Sequence, residues 1–271
     1  MADDGPALRL RLLSAVALAP IALAVVIAGG WIFALFVGAM VVLMTHEWSG
    51  LSAARFGRHY ARLAGVIVLA VGLAATMLAV LGRPGAALAC VAAAALTAGL
   101  VAWTRGAAAA WTGVGVVLVG LPAIALVWLR SLPDIGLSAL LWLLIVVWTT
   151  DSAAYVVGRR VGGARLAPSI SPGKTWAGLG GGVIGASLAS VIVAWALGSE
   201  RLVHAAGLGA GFAVIAQLGD LAESMLKRRA GVKDSGSLIP GHGGVLDRVD
   251  GLLLTAPALS LLLGLKAWQW P

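Results

Sequence analysis

The chain has 271 residues, of which 61% are hydrophobic and 11% charged, whereas an ordinary soluble domain is about a quarter charged. Its long apolar runs rule out a water-soluble globule, and their unbroken apolarity argues against a barrel, whose strands alternate. The formal net charge of +8 is assigned to membrane orientation rather than to nucleic acid, so the expected class is all-α, polytopic and membrane-embedded.

Taken in chain order, the apolar runs predict about nine transmembrane helices, near 12–29, 31–48, 63–82, 85–103, 108–129, 136–157, 178–198, 202–226 and 246–268. Each is close to the roughly twenty residues a span needs. Arg9 and Arg11 give the start the charge order of a signal peptide, but a second run begins at Trp31, which makes the first a retained span. Gly29 and Gly30 divide these two as a tight hairpin. Cys90, the one cysteine, lies in an Ala-rich apolar run and leaves no partner for an intrachain disulfide. Small residues recur at four-residue spacing at Gly178, Gly182, Ala186 and Ser190, and again at Gly207 and Gly211, which predicts close helix packing. The chain reads as a single membrane domain, 1–271, with N-terminal helices over 1–130 and a catalytic half over 131–271.

With the N-terminus in the cytoplasm, one side collects Arg9, Arg11, Arg55, Arg58, Arg62, Arg105, Arg159, Arg160, Arg165, Lys174, Lys227, Arg228, Arg229, Lys233 and Arg248. The other side holds Arg83, Arg130, Arg201 and Lys266. That bias predicts cytoplasmic placement of the two polar loops, 158–177 and 227–245.

Carboxylates inside spans are costly and count as functional candidates by default. Asp151 falls in the sixth span, while Asp220, Glu223, Asp234, Asp247 and Asp250 crowd into one short stretch. Asp220 and Glu223 share a helix face with Ser224 and Lys227, and Asp247 and Asp250 repeat the spacing at the start of the last span. Two facing acidic pairs would make a hard oxygen site suited to Mg²⁺, with a second cation left open. His242 is read either as a ligand or as a turn or phosphate contact. Between the pairs, cations lead into the glycine-rich run Pro240-Gly241-His242-Gly243-Gly244, where backbone N–H groups can approach phosphate oxygens. Lysine is sparse, at Lys174, Lys227, Lys233 and Lys266. Three of the four lie in the polar loops, where a compact ammonium suits phosphate. Ser169-Ile170-Ser171-Pro172-Gly173-Lys174-Thr175 before a Gly-rich helix start also suits an anion.

The run Ser224-x-Leu226-Lys227-Arg228, then Lys233-Asp234-x-Gly236, then Ile239-Pro240-x-His242-Gly243-Gly244-Val245-x-Asp247-Arg248-Val249-Asp250 resembles the signature of the phosphatidate cytidylyltransferases. The stretches Asp151 to Arg160 and Leu166 to Gly178 are similar to the same family. The resemblance implies attack of the phosphate of phosphatidic acid on the α-phosphorus of CTP in a bacterial inner membrane, with the site facing the cytoplasm. It also implies roles. Asp220 and Asp247 would hold the principal Mg²⁺, with Asp250 and Glu223 on a second ion or orienting the first. Lys227, Lys174 and Arg248 would neutralise phosphates, Ser224 would supply a hydroxyl, and Asp151, Arg228, Lys233, Asp234, His242, Gly243 and Gly244 would contact substrate. Membrane lipid is the expected surrounding and a homodimer is left open. The alternatives are a prenyl-lipid cytidylyltransferase, a CTP-dependent lipid kinase, and a cation-coupled transporter, the last expected to spread its polar residues along a path across the bilayer.

Overall fold

A computed structural model describes residues 19–238 and 243–265. Its helices are α1 (Ala19–Ala28), α2 (Gly30–Phe56), α3 (Arg58–Val80), α4 (Pro84–Arg105), α5 (Ala107–Ser131), α6 (Gly136–Val161), α7 (Trp176–Ala196), α8 (Leu202–Arg229) and α9 (Leu246–Gly264). Seven of them, α2 to α8, are long and apolar enough to cross a membrane. Trp103, Val203 and Leu100 are 91%, 84% and 73% exposed, a surface that suits hydrocarbon and would be penalised in water. Several helices outrun their apolar stretches: α2 continues to Phe56 through Arg55, and α8 to Arg229 through Lys227 and Arg228. Backbone hydrogen bonding does not stop where the apolar run stops, so cations occupy the last helical turns, where they also oppose the negative end of the dipole.

The all-α expectation omits one element. Polar residues 165–175 form an antiparallel hairpin, β1 (Arg165–Ala167) and β2 (Ser171–Thr175), pairing Arg165 with Thr175 and Ala167 with Ser171. Thr175 then caps α7, its Oγ1 accepting from Gly178 N at 3.0 Å, which satisfies one of the orphan donors of the first turn.

The chain forms two compact units, Met1–Leu137 with Lys227–Val249, and Ser138–Leu226 with Asp250–Pro271. In the first, Trp48 of α2 stacks on Trp111 of α5 with ring centroids 4.8 Å apart. Gly115 makes room for that indole, since a Cβ there would come within 2.5 Å of Trp48 Cε2. Arg130 donates to the carbonyls of Val26 and Ile27 at 2.6 and 3.0 Å, satisfying the end of α1. In the second unit, Gly178 and Gly182 of α7 lie against α6, where added Cβ atoms would fall 2.9 Å from the Ala154 carbonyl and 3.0 Å from that of Thr150. Ser190, further along the same stripe, accepts from Trp142 Nε1 at 3.1 Å. On α8, nothing among the described residues lies within 4 Å of a Cβ added at Gly207 or Gly211, and Gly209 makes the close approach to α7.

Candidate active site

The second unit gathers carboxylates from three helices. A Cβ on Gly219 of α8 would come 2.6 Å from the Asp250 carbonyl, and one on Gly251 of α9 would come 2.7 Å from Val147 of α6. These two glycines therefore let α6, α8 and α9 meet closely. The result is that Asp250 feels the charges of Asp220, Asp151 and Glu223. Glu223 is 2% exposed. Lys174, carried in by β2, forms an ion pair with Asp220 and donates to Gln217 Oε1 at 2.9 Å. Gln217 in turn lies 3.4 Å from Asp151 Oδ1 through Nε2. Ser224 donates to Asp220 Oδ1 at 3.3 Å across one turn of α8. The hairpin thus supplies a cation to an acidic cluster that would otherwise repel itself.

The first unit holds the rest of the signature. Lys227 donates to Asp247 Oδ1 at 2.5 Å, and Asp247 Oδ2 accepts from Gly244 N at 2.8 Å and from Ser235 N at 3.2 Å, with Ser235 Oγ 3.0 Å away. Gly243 has φ +81°, and a Cβ there would lie 2.8 Å from Asp247 Oδ2. A side chain at 243 would therefore be both strained and in contact with that carboxylate. Arg228 donates to the Val232 carbonyl at 3.1 Å. Lys233, Asp234 and Arg248 are exposed, and His242 lies outside the described residues.

A model of the cytidylyltransferase family matches residues 9–265. Several proteins named phosphatidate cytidylyltransferase are similar along most of their length. That of Brucella suis is 40% identical over 94% of this chain and 92% of its own, and that of Pseudomonas aeruginosa 36% identical over 97% and 100%. The one from Bacillus subtilis is 44% identical over about half of each chain, 51% in both cases. The chain belongs to the cytidylyltransferase family.

Membership in the cytidylyltransferases makes it an enzyme whose polar clusters call for a chemical reading. Asp247 and Asp250, three positions apart in sequence, belong to different units: Asp250 joins the acids of α6 and α8, and Asp247 holds the polar segment after α8. Three residues of these clusters were not singled out from sequence. Gln217 bridges Lys174 and Asp151, Ser235 touches Asp247, and Glu47 of α2 accepts from Ser235 and from the start of α9. Glu47 carried a signal that could have found it, because it is an acid inside an apolar span.

The acidic cluster fits Mg²⁺ in donor type and charge. Among the described residues, no three His, Cys, Asp or Glu side chains form a ready-made cage. Mg²⁺ does not need one, because it usually keeps several waters and takes one or two carboxylates together with substrate phosphates. Asp250 lies within electrostatic reach of Asp220, Asp151 and Glu223, with the Lys174 ammonium on Asp220, an acid-rich setting whose repulsion a dication would relieve.

Proposed function

We propose that this cytidylyltransferase joins CTP to phosphatidic acid, giving CDP-diacylglycerol and pyrophosphate. What carries the reading is the ion pair of Lys174 with Asp220 beside Asp250, Asp151 and Glu223, in a chain whose full-length relatives are named for that reaction. A phosphate oxygen of the lipid forms a bond to the α-phosphorus while the bridging oxygen to the β-phosphorus leaves with pyrophosphate. The nucleophile is already an anion, so no strong general base is needed, and the work is to bring two polyanions in line. Mg²⁺, when bound, would supply Lewis-acid polarisation and charge neutralisation at the phosphates. Asp220, Asp250 and Glu223 would hold it, with Asp151 as a further polar contact. Lys174 and Lys227 would bind phosphate oxygens as point charges, joined by Arg248, Arg228 and Lys233. Ser224 would hydrogen-bond a phosphate, and Asp234, His242, Gly243 and Gly244 would contact substrate. About nine spans, a cytoplasmic N-terminus and a cytoplasmic site in a bacterial inner membrane complete the reading, supported by the Lys and Arg bias between alternate loops.

The assay is incorporation of labelled CTP into lipid by the detergent-purified chain, with and without phosphatidic acid and Mg²⁺. Turnover is expected only with both, and lipid-independent or metal-independent turnover would sink the proposal. Asp220 and Asp247 fall in different units, so the shared ion expected from sequence is put to substitution. D220N and D247N should each lower the rate by at least about tenfold, and the double variant tests the shared ion: a loss little larger than that of either single variant would support it, because residues acting as one unit are non-additive. Additive losses would separate the two.

A further inference from the structure

Glu47 lies at the end of the apolar run of α2 and is 2% exposed. Its Oε1 accepts from Val245 N at 2.6 Å, and its Oε2 from Leu246 N at 2.8 Å and Ser235 Oγ at 2.9 Å. The two amides belong to the start of α9, where donors have no intrahelical acceptor and a carboxylate also meets the positive end of the dipole. The hydroxyl of Ser235 lies within hydrogen-bonding distance of both Glu47 and Asp247, and Asp247 accepts from Lys227. The polar segment is built to accept the carboxylate: a Cβ on Gly244 would lie 2.6 Å from Glu47 Oε1, and one on Gly236 would lie 3.1 Å from Glu47 Cγ. Eight residues further along α2, about two turns, Arg55 donates to the carbonyl of Arg229 at the end of α8. One rigid helix therefore grips the polar segment where it leaves α8 and where it enters α9.

From this geometry we infer that Glu47 is a positioning residue of the transferase: it fixes the start of α9 and, through Ser235, the carboxylate of Asp247. The inference rests on the proposed cytidylyl transfer for its catalytic consequence, while the latch itself is a matter of hydrogen bonding. It also gives residues before 130 a part in the reaction. Glutamine at 47 would keep the volume but present one acceptor oxygen where Val245 and Leu246 each require one, so one buried N–H would face an NH₂ group.

The test compares E47Q, S235A and M44A with the parent chain, Met44 being a buried residue of α2 outside the polar network. Measured are kcat/KM for CTP, the Tm in detergent, and hydrogen exchange at Val245 and Leu246. E47Q should lose at least about tenfold in kcat/KM, the usual cost of removing a residue that orients a functional group. It should also lose protection at whichever of the two amides faces the NH₂ group, while its Tm falls no further than that of M44A. M44A should keep its rate and its protection. Wild-type kcat/KM in E47Q, unchanged exchange at 245 and 246, or a rate loss that M44A reproduces at equal Tm would each overturn the inference. Should E47Q fail to fold, S235A decides: a severalfold loss with normal Tm is expected, and a wild-type rate overturns it. If the parent chain itself does not turn over CTP with phosphatidic acid, the proposed reaction fails, and the exchange measurement still judges the latch.

Discussion

Lys174 makes two contacts that ask for a compact ammonium. It reaches Asp220 and Gln217 from the same short strand, and Thr175 beside it is buried and committed to capping α7. K174R should therefore lose at least about tenfold in activity although charge is kept, because a planar fork cannot occupy the same point between a carboxylate and an amide. The rate of detergent-purified K174R at saturating CTP and lipid checks this. Near-normal turnover would reduce Lys174 to a topological anchor. Gln217 is the instructive neighbour. A glutamine in an apolar helix carries no charge to mark it in sequence, yet it is 6% exposed and ties the Lys174 cluster to Asp151.

Small residues on α7 set how near α6 can come, and that distance helps determine where Asp151 stands. G182V would drive a side chain toward the Thr150 carbonyl, which a backbone atom cannot easily evade. The expected cost is ~1–3 kcal/mol of overpacking, read as a lower Tm in detergent. G211V is the control, since Gly211 has nothing within 4 Å of an added Cβ. Equal Tm values for the two variants would contradict the assignment of α7 as the packed face. The same comparison shows the limit of spacing as a signal. Gly207 and Gly211 have the four-residue rhythm of a packing stripe, but the contact falls to Gly209, because which face of a helix meets a neighbour depends on where that neighbour is.

At the scale of the molecule, the arrangement of cations makes a topological prediction. Arg58, Lys174 and Lys233 should lie on the cytoplasmic side and Arg83 and Glu200 on the other. Single cysteines placed at these positions in a chain lacking Cys90 can be labelled from outside intact cells with an impermeant reagent. Labelling at 83 and 200 alone is expected. Labelling at 174 with protection at 200 would reverse the orientation.

Composition and run length determined that the chain is helical and apolar enough for a membrane, because the cost of hydrocarbon falls on each residue and can be summed along a sequence. The carboxylates, cations and glycines from Ser224 to Asp250 by themselves suggested a site for a hard cation and phosphate, and the reaction followed from the resemblance of that run to the phosphatidate cytidylyltransferases. The α2 latch was decided only in three dimensions. Glu47 meets Ser235, Val245 and Leu246 across nearly two hundred positions, and no local periodicity encodes a hydrogen bond between segments so far apart. The split of Asp247 from Asp250 is of the same kind. Their spacing puts them on one helix, but partners on other elements, Ser235 for one and the acids of α6 and α8 for the other, determine what each carboxylate does.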